Sequence, residues 1–138
     1  MKKFINFQSF TGFSLVVLMA LALSSFDIAQ EQPKPWPVPD KYENMENPVA
    51  NDANSIKDGK ALYNRYCASC HGKTGLGDGP KARMLKTFSG DFSSDEFQKQ
   101  SDGALYYKTA EGRGEMPGYE GKLSETDIWH MVNYMKSL

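Results

Sequence analysis

The stretch Cys67-Ala68-Ser69-Cys70-His71 holds both cysteines of the chain and one of its two histidines. The remaining composition limits the function that this stretch can serve. The 138 residues suit one domain and leave no room for a large two-domain enzyme. A formal net charge of −1 lacks the basic excess of nucleic-acid-binding proteins, and a hydrophobic content of 40% is too high for a disordered chain. We therefore expect the function to depend on these five positions.

The C-x-x-C-H spacing is typical of covalent haem attachment. Two thiols three positions apart can each form a thioether bond with one vinyl group, and the adjacent imidazole then binds the iron as proximal ligand. The pattern predicts one covalently attached haem c held by Cys67, Cys70 and His71. Three alternatives stay open at this point: a disulfide between the two cysteines, a zinc site that adds His130, and a thiol–disulfide oxidoreductase.

Apolar residues recur at helical spacing on the N-terminal side of the motif. The spacing predicts a first helix from about residue 56 into the motif, carried by Ile56, Gly59, Tyr63, Tyr66 and Cys70. Ser55 and Asp58 are arranged as a capping box for its first turn.

The segment after the motif is rich in glycine, which excludes regular structure and predicts a tightly turning loop over 72–80. A short helix over 81–87 and a longer one over 102–111 are predicted next, the latter ended by glycines. A last helix begins at Ser124 with Asp127 as its capping partner, and one apolar face is shared by Ile128, Met131, Val132, Met135 and Leu138. No alternating strand pattern is visible, so the fold class is all-α, with three to four helices and long loops.

A domain of this size and composition buries too little apolar surface to be stable by itself. It needs a disulfide, a metal or a large bound cofactor. A covalently bound haem meets that need, because the macrocycle supplies an apolar core around which short helices can pack.

The first 29 residues have the pattern of a targeting segment. Lys2 and Lys3 precede an uncharged stretch, 4–26, which contains an apolar run of nine residues. This is the pattern of a secretory signal peptide, or of an uncleaved signal anchor through which residues 4–26 hold the protein at a membrane. Either interpretation predicts export.

Residues 30–51 form a proline-rich linker or arm between the targeting segment and the domain, which is expected over 52–138. Alternating prolines favour an extended spacer. The arm is either a plain tether or a strap whose Trp36 and Tyr42 dock on the domain, since a tryptophan is costly to leave in water.

A sixth iron ligand must come from outside the motif, and the candidates are Met84, Met116, Met131, Met135 and His130. Met131 and Met135 belong to the apolar face of the last helix, and His130 is predicted to be a solvated surface residue. Met116 precedes a proline in a glycine-rich loop, which can bring its side chain to the face opposite His71. We predict Met116 as the distal ligand, with Met84 as the alternative. A thioether ligand raises the potential relative to bis-histidine ligation.

Taken together, these residues resemble a monohaem class I cytochrome c over roughly Ser55–Leu138. Gly59, Tyr63 and Cys67 stand at the spacing that this family uses in its first helix, where the glycine lets the last helix cross closely. The last helix of the family is matched at Met131 and Tyr134.

The loops add to the resemblance. CASCHG followed by GLGDGP is similar to small bacterial members of the family, and Met116-Pro117 matches the family's distal loop. The resemblance implies that the Pro80 carbonyl accepts the Nδ1 proton of His71 and fixes its tautomer. The proline-rich arm departs from the family pattern.

The function that the resemblance implies is one-electron transfer by a haem iron cycling between Fe(III) and Fe(II), so the protein is not expected to be an enzyme. Its expected place is the periplasm of a bacterium or the outer face of the inner membrane. A quinol-oxidising complex or a dehydrogenase would donate electrons, and a terminal oxidase or reductase would accept them. Two alternatives remain: a permanent cytochrome c subunit of a larger respiratory or dehydrogenase complex, and a gas sensor in which the Met116 bond is absent.

Overall fold

Over residues 36–138, three helices of ten or more residues are joined by long loops and single helical turns. The computed structural model describes residues 36–138, so the predicted signal peptide or anchor and the first residues of the arm lie outside the described residues. The helices are α1 (Asp40–Glu43), α2 (Ala53–Tyr66), α3 (Ala68–His71), α4 (Asp95–Gln98), α5 (Asp102–Glu111) and α6 (Glu125–Met135), with a 3-10 turn over Ala82–Met84. Two isolated bridges are the only β-type pairings within 36–138, which confirms the all-α prediction.

Helix α2 begins three residues earlier than predicted, and the capping prediction for Ser55 is wrong. The Asp52 carboxylate caps the helix, accepting hydrogen bonds from the amides of Asn54 (3.0 Å) and Ser55 (2.8 Å). Asp52 is as good an N-cap as serine. Ser55 instead lies inside the first turn, where it is buried and its hydroxyl bonds to groups on α6. The helix ends at Tyr66, and one residue separates it from α3.

Helices α5 and α6 lie where the sequence predicts them. α5 spans the predicted 102–111 and is followed by Gly112, whose φ of +71° favours glycine. At the start of α6, the Ser124 hydroxyl accepts from the Asp127 amide (3.1 Å) and the Asp127 carboxylate accepts from the Ser124 amide (3.2 Å), so the predicted capping box is confirmed. The helix predicted over 81–87 is shorter, because only Ala82–Met84 turn as a 3-10 segment.

The core forms where α2 crosses α6. The two helices approach closely at Gly59, which is buried against the backbone of His130. Next to the crossing, the fully buried Tyr63 ring meets the Tyr134 ring edge-on at 5.1 Å between centroids. The predicted apolar face of α6 is buried in this core at Ile128, Met131, Val132 and Met135.

The described part of the arm, residues 36–51, packs on the domain. The Tyr42 ring lies 4.7 Å from the Tyr107 ring, and the backbone carbonyl of Tyr42 is packed against Gly103 of α5. The Asn47 side-chain amide donates a hydrogen bond to Oδ1 of the Asn133 side chain on α6 (2.8 Å). Of the two interpretations of the arm, the docked strap fits these residues. Over residues 36–138, every helix is too short or too polar to cross a bilayer.

Candidate haem-binding site

The end of α2 and the single turn of α3 present the C-x-x-C-H motif. Cys67 joins the two helices, and its amide donates to the Tyr63 carbonyl (2.8 Å). The Cys67 carbonyl then accepts from the amides of Cys70 (3.1 Å) and His71 (3.0 Å). These bonds wrap the motif into one helical turn, in which both cysteines are half-buried and neither forms a disulfide.

The thiol environment argues against a redox-active pair. Burial, followed by the nearby Cys70, raises the pKa of the Cys67 thiol to about 12. A thiol–disulfide oxidoreductase needs the opposite shift, because the thiolate is the nucleophile. The zinc alternative is not formed either: within residues 36–138, no three His, Cys, Asp or Glu side chains are grouped to hold a metal ion.

The His71 ring lies half-buried beside the turn of the motif. Its Nδ1 atom is buried without a hydrogen-bond partner, and its ring lies 4.7 Å from the ring of Phe92. Burial lowers the pKa of His71, while the neighbouring backbone of Ser89 acts in the opposite direction. The ring is therefore neutral at neutral pH, with a lone pair available for a metal. Since Nδ1 is the atom expected to donate to a backbone carbonyl, Nε2 is the ring nitrogen that is left to bind a metal.

The hydrogen bond expected between His71 Nδ1 and the Pro80 carbonyl is absent from this structure. Pro80 lies on the exposed side of the glycine-rich loop, while the His71 ring packs towards Phe92 and Ser89. The same loop is closed onto α3 by other bonds, including that from the Gly77 amide to the His71 carbonyl (2.9 Å).

Two tyrosines hold the backbone that follows the motif. The Tyr63 hydroxyl donates to the Gly72 carbonyl (2.8 Å), and the Tyr134 hydroxyl donates to the Lys73 carbonyl (3.3 Å). Since these tyrosines belong to α2 and α6, the helix crossing fixes the position of the residues next to His71.

The predicted distal ligand lies at the end of a tight turn. The amides and carbonyls of Arg113 and Met116 pair reciprocally at 2.9 and 3.0 Å, with Gly114 at a φ of +60° between them. The Glu115 carboxylate accepts from the Lys86 amide (2.8 Å), which joins this turn to the loop that follows the motif. Met116 itself is half-buried.

Tyr119 joins the same segment to the motif from the other side. Its hydroxyl donates to the carbonyl of Tyr66 (2.9 Å), the residue before Cys67. Burial raises the pKa of Tyr119 to about 12, and the next largest contributions come from Cys67 and Cys70, which lie close by. The chain on either side of Met116 is thus bonded to segments on either side of the motif.

The remaining candidates for the distal position have other surroundings. Met131 and Met135 are buried in the helix core, as predicted, and Met84 is 76% exposed on the 3-10 turn. The prediction that His130 is solvated is wrong: it is half-buried, with its Nδ1 2.8 Å from the Ser55 hydroxyl. Its partner lies on another helix, so no local pattern indicated this bond.

Sequence reasoning missed several residues around the site. Phe92 packs on the His71 ring, Tyr119 bonds to the end of α2, and Glu115 holds the loop at Lys86. Each contact spans more than 20 residues of sequence, and none falls in a spaced motif. The aromatic character of Phe92 and Tyr119 was the only signal in the sequence, and it marks core residues equally well.

A C-x-x-C-H turn on a small all-α fold is typical of a c-type cytochrome with one haem c. Residues 54–135 match the family model described as cytochrome C oxidase, cbb3-type, subunit III, and the chain belongs to this cytochrome c family. It carries covalently attached haem c and functions as an electron carrier.

Individual relatives agree with this family. The chain is 32% identical to cytochrome c6 of Cladophora glomerata, over 61% of this chain and 89% of that protein. It is 28% identical to cytochrome c550 of Pseudomonas aeruginosa, over 90% and 91% of the two chains. Among solved structures, a chain of the Kuenenia stuttgartiensis reducing HAO-like protein complex matches with a TM-score of 0.59 and 29% identity. That match covers 79% of this chain and about half (53%) of the other.

Proposed function

We propose that this chain carries electrons in the bacterial envelope, with Cys67 and Cys70 as the thioether residues, His71 as proximal iron ligand and Met116 as distal ligand. The observation that carries the proposal is the helical turn of the motif, which places Cys67, Cys70 and the half-buried His71 in one turn through the bonds of the Cys67 carbonyl. The turn of Met116, bonded to the segments on both sides of the motif, supports the distal assignment.

The chain's own residues would hold and shield the cofactor. When bound, haem c supplies the exchange of one electron between Fe(III) and Fe(II). Phe92 restrains the His71 ring, and the hydroxyls of Tyr63 and Tyr134 fix the backbone that follows it. The soft sulfur of Met116 favours the reduced iron and gives a higher potential than a second histidine would.

The chain is further proposed not to be an enzyme. The pair that most resembles a nucleophile and its base is Ser55 and His130, 2.8 Å apart. Ser55 is only 3% exposed, and its hydroxyl accepts from the Asn133 amide (2.7 Å), so its single proton points to His130. A buried hydroxyl inside a helix crossing has no room for a substrate, which supports a structural role.

The proposed place of action is the periplasm or the outer face of the inner membrane. The basic start and apolar stretch of residues 1–29 support export. Redox proteins are the proposed partners: a quinol-oxidising complex or dehydrogenase as donor, and a terminal oxidase or reductase as acceptor.

A permanent subunit of a larger respiratory complex is the second candidate. The family description as an oxidase subunit and the likeness to a chain from a protein complex favour it. Purification after detergent extraction separates the two candidates, because a free carrier is recovered alone in the soluble fraction and a subunit is recovered with its complex.

The ligand assignment is tested on protein expressed with a cytochrome c maturation system. Covalent haem in a pyridine haemochrome assay, lost in the double variant Cys67→Ala with Cys70→Ala, supports the attachment residues. In the oxidised protein, the weak near-infrared sulfur-to-iron band should disappear in Met116→Ala and persist in the matched control Met84→Ala. Persistence of the band in Met116→Ala refutes the distal assignment, and rapid carbon monoxide binding to the reduced wild type would favour a sensor.

A further inference from the structure

The proline-rich arm places a tryptophan against the segment that carries the proposed distal ligand. The Trp36 ring centroid lies 4.5 Å from the guanidinium carbon of Arg113 and 5.9 Å from Nζ of Lys108. The arm is held in this position further along, where the rings of Tyr42 and Tyr107 approach to 4.7 Å and Asn47 bonds to α6. The sequence assigned no role to Trp36 beyond docking.

Arg113 opens the turn that ends at Met116. The backbone groups of these two residues form both hydrogen bonds of the turn. Displacement of Arg113 would therefore displace the backbone of Met116. Elsewhere the turn is tied to the loop after the motif by the exposed carboxylate of Glu115 on the Lys86 amide, and the chain that follows it is held by the Tyr119 amide on the Ala110 carbonyl (2.8 Å). The exposed bond of Glu115 contributes little by itself.

The Trp36 ring also offsets a repulsion between two cations. Burial lowers the pKa of Lys108, and the positive charge of Arg113 acts in the same direction, while Glu43 opposes it. Lys108 and Arg113 therefore lie close enough to repel each other. The electron-rich face of an indole attracts both cations. Lys108 is also held by the Gln100 side-chain carbonyl, so loss of the ring should act mainly on Arg113, whose backbone belongs to the turn.

We propose that Trp36 is a positioning residue for the distal ligand: it holds Arg113 and, through it, the turn that carries Met116. The arm is then part of the redox site and not merely a connection to the N-terminus. This inference rests on the proposed function, because it assumes that Met116 binds the iron.

The experiment compares Trp36→Ala and Trp36→Phe with wild-type holoprotein. Lys41→Ala is the matched control, because Lys41 lies over the Tyr42 ring at the same 4.5 Å but does not contact the turn. Two rates are measured on the reduced protein: hydrogen exchange of the Met116 amide, and binding of carbon monoxide, which requires the distal ligand to leave.

Loss of the cation–π contact should raise both rates in Trp36→Ala by roughly two- to five-fold. Trp36→Phe should give a smaller increase, and Lys41→Ala should match the wild type. If Trp36 acts through Arg113, the double variant Trp36→Ala with Arg113→Gln behaves like Arg113→Gln alone. Unchanged rates in Trp36→Ala, or additive effects in the double variant, would overturn the inference.

The same preparations separate this inference from the ligand assignment. A wild type without the sulfur-to-iron band, or a band that survives Met116→Ala, refutes the assignment and the inference with it. A band that is present in the wild type and lost in Met116→Ala, together with unchanged rates in Trp36→Ala, refutes the inference alone.

Discussion

Gly59 of α2 faces the backbone carbonyl of His130 on α6, and a Cβ added at position 59 would stand 1.9 Å from that oxygen. No side chain larger than hydrogen fits between the two helices at this point. The close approach brings Tyr63 and Tyr134 together, and their hydroxyls hold the backbone after His71. The packing of two helices is thus connected to the position of the proposed proximal ligand.

Replacement of Gly59 by alanine should separate these helices. The obstacle is backbone, which cannot move aside as a flexible side chain would, so we expect a loss of about 3 kcal/mol or more in the free energy of unfolding. Urea unfolding of the holoprotein measures it. Lys60→Ala, at the exposed neighbouring position, serves as the control and should stay close to the wild type. Equal urea unfolding midpoints for Gly59→Ala and Lys60→Ala would contradict the close approach of α2 and α6 at position 59.

The Asn133 side chain joins three segments of the chain. Its carbonyl oxygen accepts from Asn47 (2.8 Å), and its amide donates to the Ser55 hydroxyl (2.7 Å) and the Ala50 carbonyl (3.2 Å). Asn133→Ala removes all of these bonds, including the donor to the buried Ser55 hydroxyl, which should cost about 3 kcal/mol.

The control for Asn133→Ala is Asn44→Ala. The Asn44 side chain makes one exposed hydrogen bond within residues 36–138, to the Asp40 carbonyl (2.9 Å). Loss of this one side-chain bond should change the free energy of unfolding by less than about 0.5 kcal/mol. Thermal unfolding of both variants measures the difference. If Asn133→Ala lowers the stability no more than Asn44→Ala does, the hydrogen bonds of Asn133 do not stabilise the packing of the arm on the helices.

The capping box of α6 gives a smaller, separate prediction. Ser124→Ala removes the acceptor of the Asp127 amide and should destabilise the protein by about 1 kcal/mol. Ser124→Thr retains a hydroxyl and should recover most of the loss. Denaturant midpoints of the two variants are compared with the wild type, and an alanine variant as stable as the threonine variant would contradict the capping role.

We predict that the buried phenol of Tyr134 makes the folded protein less stable at alkaline pH. Burial raises its pKa above the usual value of 10.0. The unfolded chain therefore loses this proton at a lower pH than the folded protein. The contribution of Tyr134 to stability is complete below pH 10.0 and is lost as the pH rises from there through the folded pKa.

Urea unfolding between about pH 8 and pH 11 tests this. The stability of the wild type should fall more steeply above pH 10.0 than that of Tyr134→Phe, which has no phenol to ionise. Tyr107→Phe, at a partly exposed position on α5, is the control and should follow the wild type. An identical slope for Tyr134→Phe and the wild type would exclude this tyrosine as the cause.

Local signals predicted much of the fold. The C-x-x-C-H motif, the bounds of α5 and the capping box of α6 depend on residues a few positions apart, so their patterns are visible in the sequence. The start of α2 was misjudged because Asp52 and Ser55 are both good N-caps. The choice between them depends on His130 and Asn133, which lie far along the chain and bond to Ser55.

The surroundings of the site were less predictable for the same reason. Phe92 against His71, Tyr119 against Tyr66 and Trp36 against Arg113 are long-range contacts between residues without a common spacing. The sequence predicts which residues carry the chemistry, because haem attachment imposes a fixed spacing. The long-range contacts that hold these residues depend on how the loops pack, and no local sequence pattern indicates that packing.

The most direct test of the account is a spectroelectrochemical titration of the exported, matured protein, followed by denaturing extraction of its haem. We predict a single reversible one-electron transition and a haem that stays with the chain after extraction. No reversible transition, or a haem that is released on denaturation, would contradict the account of a covalently loaded electron carrier.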